Sequence, residues 1–300
     1  MTTVHPVFAH FPPYSGVCGP EFSIDFLGAK VRTEFVTGAV ASGAHVTTQY
    51  PPLDEEYFEW IDILESVRAA KGEYTMVELG AGYGRWAVRA ACAVRRCRPD
   101  LPFHLVAVEA EPKHFQWMKQ HFRDNDVDPR KHTLVNAAVG EEAGTAMFYV
   151  GSPESGGNVA ADWYGQALTK SYEEVEKRKF VKYEGFRVIK LKSGWQAIET
   201  ECVVLGSLIG DLKRVDLIDM DVQGAELKVV HSSIDVLDRN TVRMHIGTHD
   251  REIEEGLREL FQAHGWECRA DYKCLETNET PWGPVEFSDG VQSWLNPRLI

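Results

Sequence analysis

Residues 76–86 read Met76-Val77-Glu78-Leu79-Gly80-Ala81-Gly82-Tyr83-Gly84-Arg85-Trp86. The first four are an apolar run broken only by Glu78, the length of a short buried strand. Three glycines follow at alternate positions, and a helical stretch then begins. Strand, tight turn and helix in that order open a doubly wound nucleotide-binding sheet. One glycine permits positive φ, one lets the backbone approach a ligand, and one lets helix and strand pack closely. A dinucleotide fingerprint, G-x-G-x-x-G, needs its third glycine at position 85, which is Arg85. The spacing here is G-x-G-x-G, with Glu78 two residues ahead of the first glycine. A carboxylate lining the turn suits a cationic ligand better than a phosphate. The competing reading is an ordinary strand–helix turn.

The sequence on both sides supports an α/β chain. Residues 54–70 carry Tyr57, Trp60, Ile61, Leu64 and Val67 on one helical face, with Asp54 as the predicted N-cap. Residues 22–36 alternate loosely and predict a hairpin; residues 47–50 can fold over a ligand. Downstream, 86–98 predict a helix ended by Pro99, and 104–109 a second strand ending at Glu109. A carboxylate there is placed to accept from two ribose hydroxyls. Glu111, beside it, reads as a helix-start charge. A third strand, 133–135, leads into Asn136 and Ala137, where small residues leave room for a flat ring. Asn136 can bond such a base or its own turn. Residues 144–150 predict another strand, 152–158 a mobile Gly/Ser loop, and 172–192 a charged insertion or surface excursion.

The strand at 215–220 runs into Asp221-Val222-Gln223-Gly224-Ala225-Glu226, with a helix predicted from 223. Asp219 and Asp221 alternate and so face one side. A fifth strand, 242–247, ends at Thr248-His249-Asp250, and 251–264 form an amphipathic helix. The tail, 266–294, supplies short strands that complete a sheet.

Composition narrows the function. A net charge of −13 argues against nucleic acid or an anionic membrane as partner. Six cysteines without C-x-x-C or zinc-ribbon spacing predict free thiols and a reducing, cytoplasmic setting. No basic-then-apolar leader and no long apolar span is visible.

Glu78-x-Gly80-x-Gly82-x-Gly84 resembles motif I of class I S-adenosylmethionine (SAM) methyltransferases. With residues 106–112, 134–140 and above all 217–226, LIDMDVQGAE, the chain resembles the FkbM family of these enzymes over about 75–265. The last stretch is similar to the family's Lys-Ile-Asp-Val-Glu-Gly-Ala-Glu signature, but carries Asp219 for the lysine and Gln223 for the first glutamate. After the fifth strand His245-Ile246-Gly247-Thr248-His249 stands where the family more often has a glutamate.

The resemblance implies a doubly wound, mostly parallel, seven-stranded Rossmann-like sheet. Residues 1–70 form an N-terminal extension with a covering helix. Residues 71–300 form the SAM-binding domain, with an insertion at about 152–200. The resemblance also implies O-methylation of a small molecule: a sugar, polyketide or other secondary metabolite. Cofactor residues are then Glu78, Gly80, Gly82, Gly84, Glu109, Asn136 and Ala137.

An alcohol needs a base or a metal to lose its proton. Asp221 and His249, at neighbouring strand ends, are the catalytic candidates. Either is a base, or together they hold a divalent cation with Asp219 or Asp250. The rival readings are a nucleotide-binding oxidoreductase or sugar-nucleotide enzyme, which the glycine spacing opposes, and a non-catalytic SAM-binding scaffold.

Overall fold

In the computed structural model, which describes residues 4–36, 45–151, 181–183 and 185–300, the run ahead of the glycines is strand β1 (Tyr74–Leu79), buried throughout. Six strands join it: β2 (Phe103–Val108), β3 (Thr133–Val135), β4 (Leu217–Met220), β5 (Arg243–Thr248), β6 (Glu267–Tyr272) and β7 (Gly290–Leu295). Their order is β6-β7-β5-β4-β1-β2-β3. Every pairing is parallel except those of β7, which runs against both β5 and β6. This is the doubly wound, mostly parallel, seven-stranded sheet the sequence predicts. The order reverses between β1 and β4, and the crevice at their carboxyl ends is where such sheets bind ligands.

Parallel strands are buried on both faces, so helices must cover both. Alternation along each strand sorts side chains between two cores. Tyr74, Met76, Leu105, Ala107 and Leu217 pack with α1 (Glu56–Ala69) and α2 (Arg85–Cys97). Val77, Leu79, Val106, Val108, Ile218 and Met220 face the other way. They pack with a short helix α4 (Leu205–Ile209), α5 (Glu226–Asn240) and α6 (Arg251–Ala263), while α3 (Pro112–Asp124) follows β2.

The five predicted apolar residues of α1 are all buried, but so are Phe58 and Ile63 on other sides. Residues of the N-terminal segment explain this: Val7, Phe8, Phe11, Phe26 and Leu27 share the α1–α2 core. Phe8 packs on Tyr57 at 5.0 Å, and Tyr57 Oη accepts from the His5 N–H at 2.7 Å. The predicted hairpin is present as Phe22–Ile24 against Lys30–Arg32. The helix begins two residues after Asp54, whose carbonyl accepts from the Tyr57 N–H.

The strand predicted at 144–150 exists but belongs to a second sheet. Gly144–Gly151 pairs antiparallel with Gln196–Val203, which also pairs with Phe186–Lys190 and, in parallel, with Ala138–Val139. The later part of the expected surface excursion is therefore strand, down to Val181–Tyr183. Its period-2 pattern is hidden because charged residues occupy the outward positions, as in Gln196–Val203 where Glu199 and Glu201 are exposed. The predicted loop at 152–158 and residues 172–180 of the charged stretch lie outside the described residues. Among the described residues, no helix is long and apolar enough to cross a membrane.

Candidate active site

The glycine turn leaves bare backbone at the carboxyl end of β1. Gly80, Gly82 and Gly84 have φ of +76°, +54° and +73°. At Gly80 a Cβ would lie 1.8 Å from the Asp221 carbonyl oxygen, because the chain leaving β4 crosses directly beside the turn. Gly84 caps α2 and lies against Met118 and Phe122 of α3. With no side chain at that cap, the first N–H groups of α2 need another acceptor. Glu78 supplies it: its two oxygens accept from Trp86 N and Ala87 N, each at 2.9 Å. Burial pushes its carboxyl up to about 7. The expectation that Glu78 answers a cationic ligand is thus corrected in part. It lines the cavity, but its hydrogen bonds serve the helix.

A cavity of about 790 Å³ opens at these strand ends. Glu78, Gly80, Gly82, Glu109, Ala137 and Asp221 line it; Gly84, Asn136 and His249 stand behind its wall. Glu109, 5 % exposed, accepts from Gly82 N and from Glu111 N, each at 2.6 Å. It therefore ties the glycine turn to the end of β2. Burial pushes its carboxyl up to about 8, against the pull of those two N–H groups. Glu111 caps α3 through the His114 N–H and does not reach the cavity. Asn136 donates to the carbonyls of Glu109 and Ala110, so it staples its own turn, the second of its two expected roles.

Beside the turn stand the residues after β4 and β5. His249 Nδ1 lies 2.9 Å from Glu226 Oε1, and its Nε2 lies 3.3 Å from Asp221 and 3.8 Å from Asp289. Burial alone would lower the ring's basicity. Hydrogen bonds to Asp221 and Glu226 outweigh it and push His249 up to about 10. The Gln223 amide nitrogen lies 2.9 Å from Nε2 and donates to Asp221 Oδ1 at 2.8 Å, so Nε2 accepts from that amide when the ring is neutral, and turning the amide oxygen inward would set it against the Asp221 carboxylate. Gln223 sits at φ +53°, a conformation a non-glycine residue adopts at a cost. Asp221 is half exposed and lies ahead of α5, whose cap position is Ala225, so it is not the helix cap. Asp250 joins neither group of converging ligand atoms among the described residues; its carboxylate caps α6 at the Ile253 N–H.

A further group was not expected from the sequence. Asp219 pairs in register with Glu78 on one side and His245 on the other, placing all three on the face under α1. His245 is 2 % exposed and its Nδ1 lies 2.8 Å from Asp62 of α1. Asp62 also accepts from Arg243 and Ser293. Glu59, one turn before Asp62, completes the group and lines the cavity with Asp219 and His245. Burial, with Asp219 and Glu56 near Glu59 and with Glu78 and Asp221 near Asp219, raises both Glu59 and Asp219 well above the usual carboxylate range. The available signal was Asp62, an acid inside the apolar run Trp60-Ile61-Asp62-Ile63-Leu64. Arg85 also enters the cavity wall, bound to Glu56 at 2.6 Å.

The family described as the methyltransferase FkbM domain matches residues 78–274. A protein of Jannaschia sp. (strain CCS1), provisionally named a methyltransferase, is 24% identical over 292 residues, covering 96% of this chain and 97% of its own length. Among solved structures, an FkbM methyltransferase from Methylobacillus flagellatus KT gives a TM-score of 0.42 at 11% identity, covering 75% of this chain and 44% of that one. A precorrin-6y C5,15-methyltransferase from Geobacter metallireducens GS-15 gives 0.40 at 12%, covering 83% and 92%. Likeness at that level carries no argument, and the fold assignment rests on the strand order. The family match itself spans the glycine turn, Glu109, the segment after β4 and His249. This chain belongs to the FkbM methyltransferase family.

Proposed function

We propose that the chain transfers a methyl group from SAM to a hydroxyl of a small acceptor, a sugar, polyketide or similar metabolite. The observation that carries this reading is one cavity whose adjoining walls differ in chemistry. One wall holds the bare glycine backbone and Glu109; directly beside it stands Asp221, backed by His249. The residues fit the cofactor. The cavity volume is in the range that encloses a ligand of that size. Gly80 leaves the backbone uncovered, and Glu109 presents a carboxylate at the position of a ribose acceptor. Ala137, fully buried beside Glu109, leaves space for a flat base.

SAM, when bound, supplies a methyl carbon already activated by its sulfonium. What remains for the protein is alignment and the acceptor's proton. Asp221 is the proton acceptor in this reading, since it is half exposed into the cavity. His249 is a positioning residue: its Nε2 lies 3.3 Å from Asp221, and Glu226 behind its other nitrogen fixes the ring. A cytoplasmic setting, supported by the free cysteines, and the absence of nucleic-acid and membrane partners, supported by the acidic balance of the chain, remain part of the proposal.

The test measures cofactor binding and transfer separately. S-adenosylhomocysteine should bind in the micromolar range, about −8 kcal/mol. Asp221→Asn should slow transfer to a responsive acceptor by ~10²–10⁴-fold with cofactor affinity little changed. Tight NAD binding without SAM binding would overturn the cofactor assignment. Wild-type transfer by Asp221→Asn would remove Asp221 as the base.

A further inference from the structure

We infer that Glu59, Asp219 and His245 form a binding site for one divalent first-row transition-metal ion on the α1 side of the cavity. Their donor atoms all lie within 4.8 Å of one another. They come from three elements: Glu59 from α1, Asp219 from β4 and His245 from β5. Strand register sets Asp219 beside His245, and α1 lies across both strands.

Two independent features point to a cation. Asp219 is 6 % exposed and faces the cavity, yet among the described residues its carboxylate accepts no hydrogen bond. A carboxylate so placed is costly unless a cation or donor reaches it. The nearby described cations are engaged elsewhere: Arg85 by Glu56, Arg89 by Asp25 and Glu56, and Arg243 by Asp62 and Glu65. The second feature is the setting of His245. Asp62 engages its Nδ1 at 2.8 Å, and Arg243 and Ser293 hold Asp62 in place. That arrangement puts the ring hydrogen on Nδ1 and leaves Nε2 its lone pair. A carboxylate behind an imidazole is the usual support of a metal-bound histidine.

The other cluster of possible ligands, Asp221, Glu226 and His249, is less suited. Both ring nitrogens of His249 are already engaged, Nδ1 by Glu226 and Nε2 by the Gln223 amide and Asp221, so the ring has no lone pair turned to an open position. Two carboxylates with one imidazole favour Mn²⁺, Fe²⁺, Co²⁺ or Zn²⁺ over Mg²⁺ or Ca²⁺, which prefer all-oxygen shells. The cavity side of the site is open, so an acceptor oxygen can complete the shell. That last consequence rests on the methyl-transfer reading; the site itself does not.

The experiment is a Mn²⁺ titration of the purified full chain, without SAM, by electron paramagnetic resonance, with melting curves run alongside. One Mn²⁺ per chain is expected. Asp219→Asn and Glu59→Gln should each weaken binding at least tenfold while circular dichroism stays native. Both should also abolish the Mn²⁺-induced rise in Tm. Asp221→Asn should change Mn²⁺ affinity less than threefold. Co²⁺ should give a visible spectrum that is altered in His245→Gln. Absence of stoichiometric binding, retention of binding in Asp219→Asn and Glu59→Gln, or loss of it in Asp221→Asn would overturn the site. Failure of methyl transfer with any acceptor would leave this titration unaffected, so the two proposals fail separately.

Discussion

Glu109 shows how one residue serves both fold and ligand. Its oxygens hold Gly82 and Glu111, so alanine would leave two buried N–H groups without an acceptor. Glutamine is the cleaner change, since it keeps an acceptor and removes the charge. Glu109→Gln should weaken S-adenosylhomocysteine binding at least tenfold, in line with ~1.5–3 kcal/mol for a hydrogen bond to a charged group. The pH dependence has a definite sign. The ligand-free carboxyl titrates at about 8, and hydroxyl donors favour its ionised form. Affinity should therefore rise as pH passes from 6 through 8 and then level off, with a proton released on binding. Calorimetry in buffers of different ionisation enthalpy checks this, and Glu109→Gln should flatten the profile. His249 gives a second test, of stability. Its folded value, about 10, lies above the ordinary imidazole value of about 6.5. Its contribution is therefore complete below about 6.5 and is lost as pH rises through 10. Urea unfolding between pH 6 and 10 should show that decline in the wild type and a shallower one in His249→Gln.

At the scale of elements, the three glycines of the turn are not equivalent. Gly80→Ala combines positive φ with a backbone carbonyl at 1.8 Å, which nothing flexible can relieve. Gly84→Ala meets only side-chain atoms, Met118 Cγ at 2.8 Å and Phe122 Cε2 at 2.9 Å, which can give way. Gly80→Ala should cost more than about 4 kcal/mol or prevent folding, and Gly84→Ala about 1–3 kcal/mol. Denaturant titration of both orders them; equal losses would contradict the close approach of β4 to the turn. The α1–sheet contact depends in turn on Asp62, which accepts from Arg243, His245 and Ser293. Asp62→Ala leaves Arg243 buried with only Glu65 and should destabilise by about 3–5 kcal/mol. Asp62→Ala/Arg243→Met should recover part of that loss, because the stranded charge is gone.

Across the whole molecule, the N-terminal residues are not an appendage. Phe8 and Phe11 are fully buried, Phe26 nearly so, and they share a core with α1 and α2. Each large apolar side chain so buried is worth about 1.5–3 kcal/mol. A chain beginning at residue 51 should thus lose its near-ultraviolet circular dichroism and aggregate. A cooperative melt near the wild-type Tm in that truncation would show that the layer is dispensable.

The order of strands and helices was legible in the sequence because each parallel strand is a buried apolar run and each helix has a visible face. The glycine turn was legible for the same kind of reason: its conformation is local, and only glycine adopts it without strain. Glu109 and Asp221 could be named since each directly ends a strand at the ligand-binding edge. The second sheet was missed because its outward positions are charged and its partners are distant in sequence. The same distance hid the group formed by Glu59, Asp62, Asp219 and His245. Asp62 and His245 are separated by 183 residues. Their meeting is decided by which strands become neighbours, in what register, and which helix closes over them. The setting of His249 was likewise beyond the sequence, since its ring meets Asp221 and Glu226 of one segment and Asp289 of another, distant one.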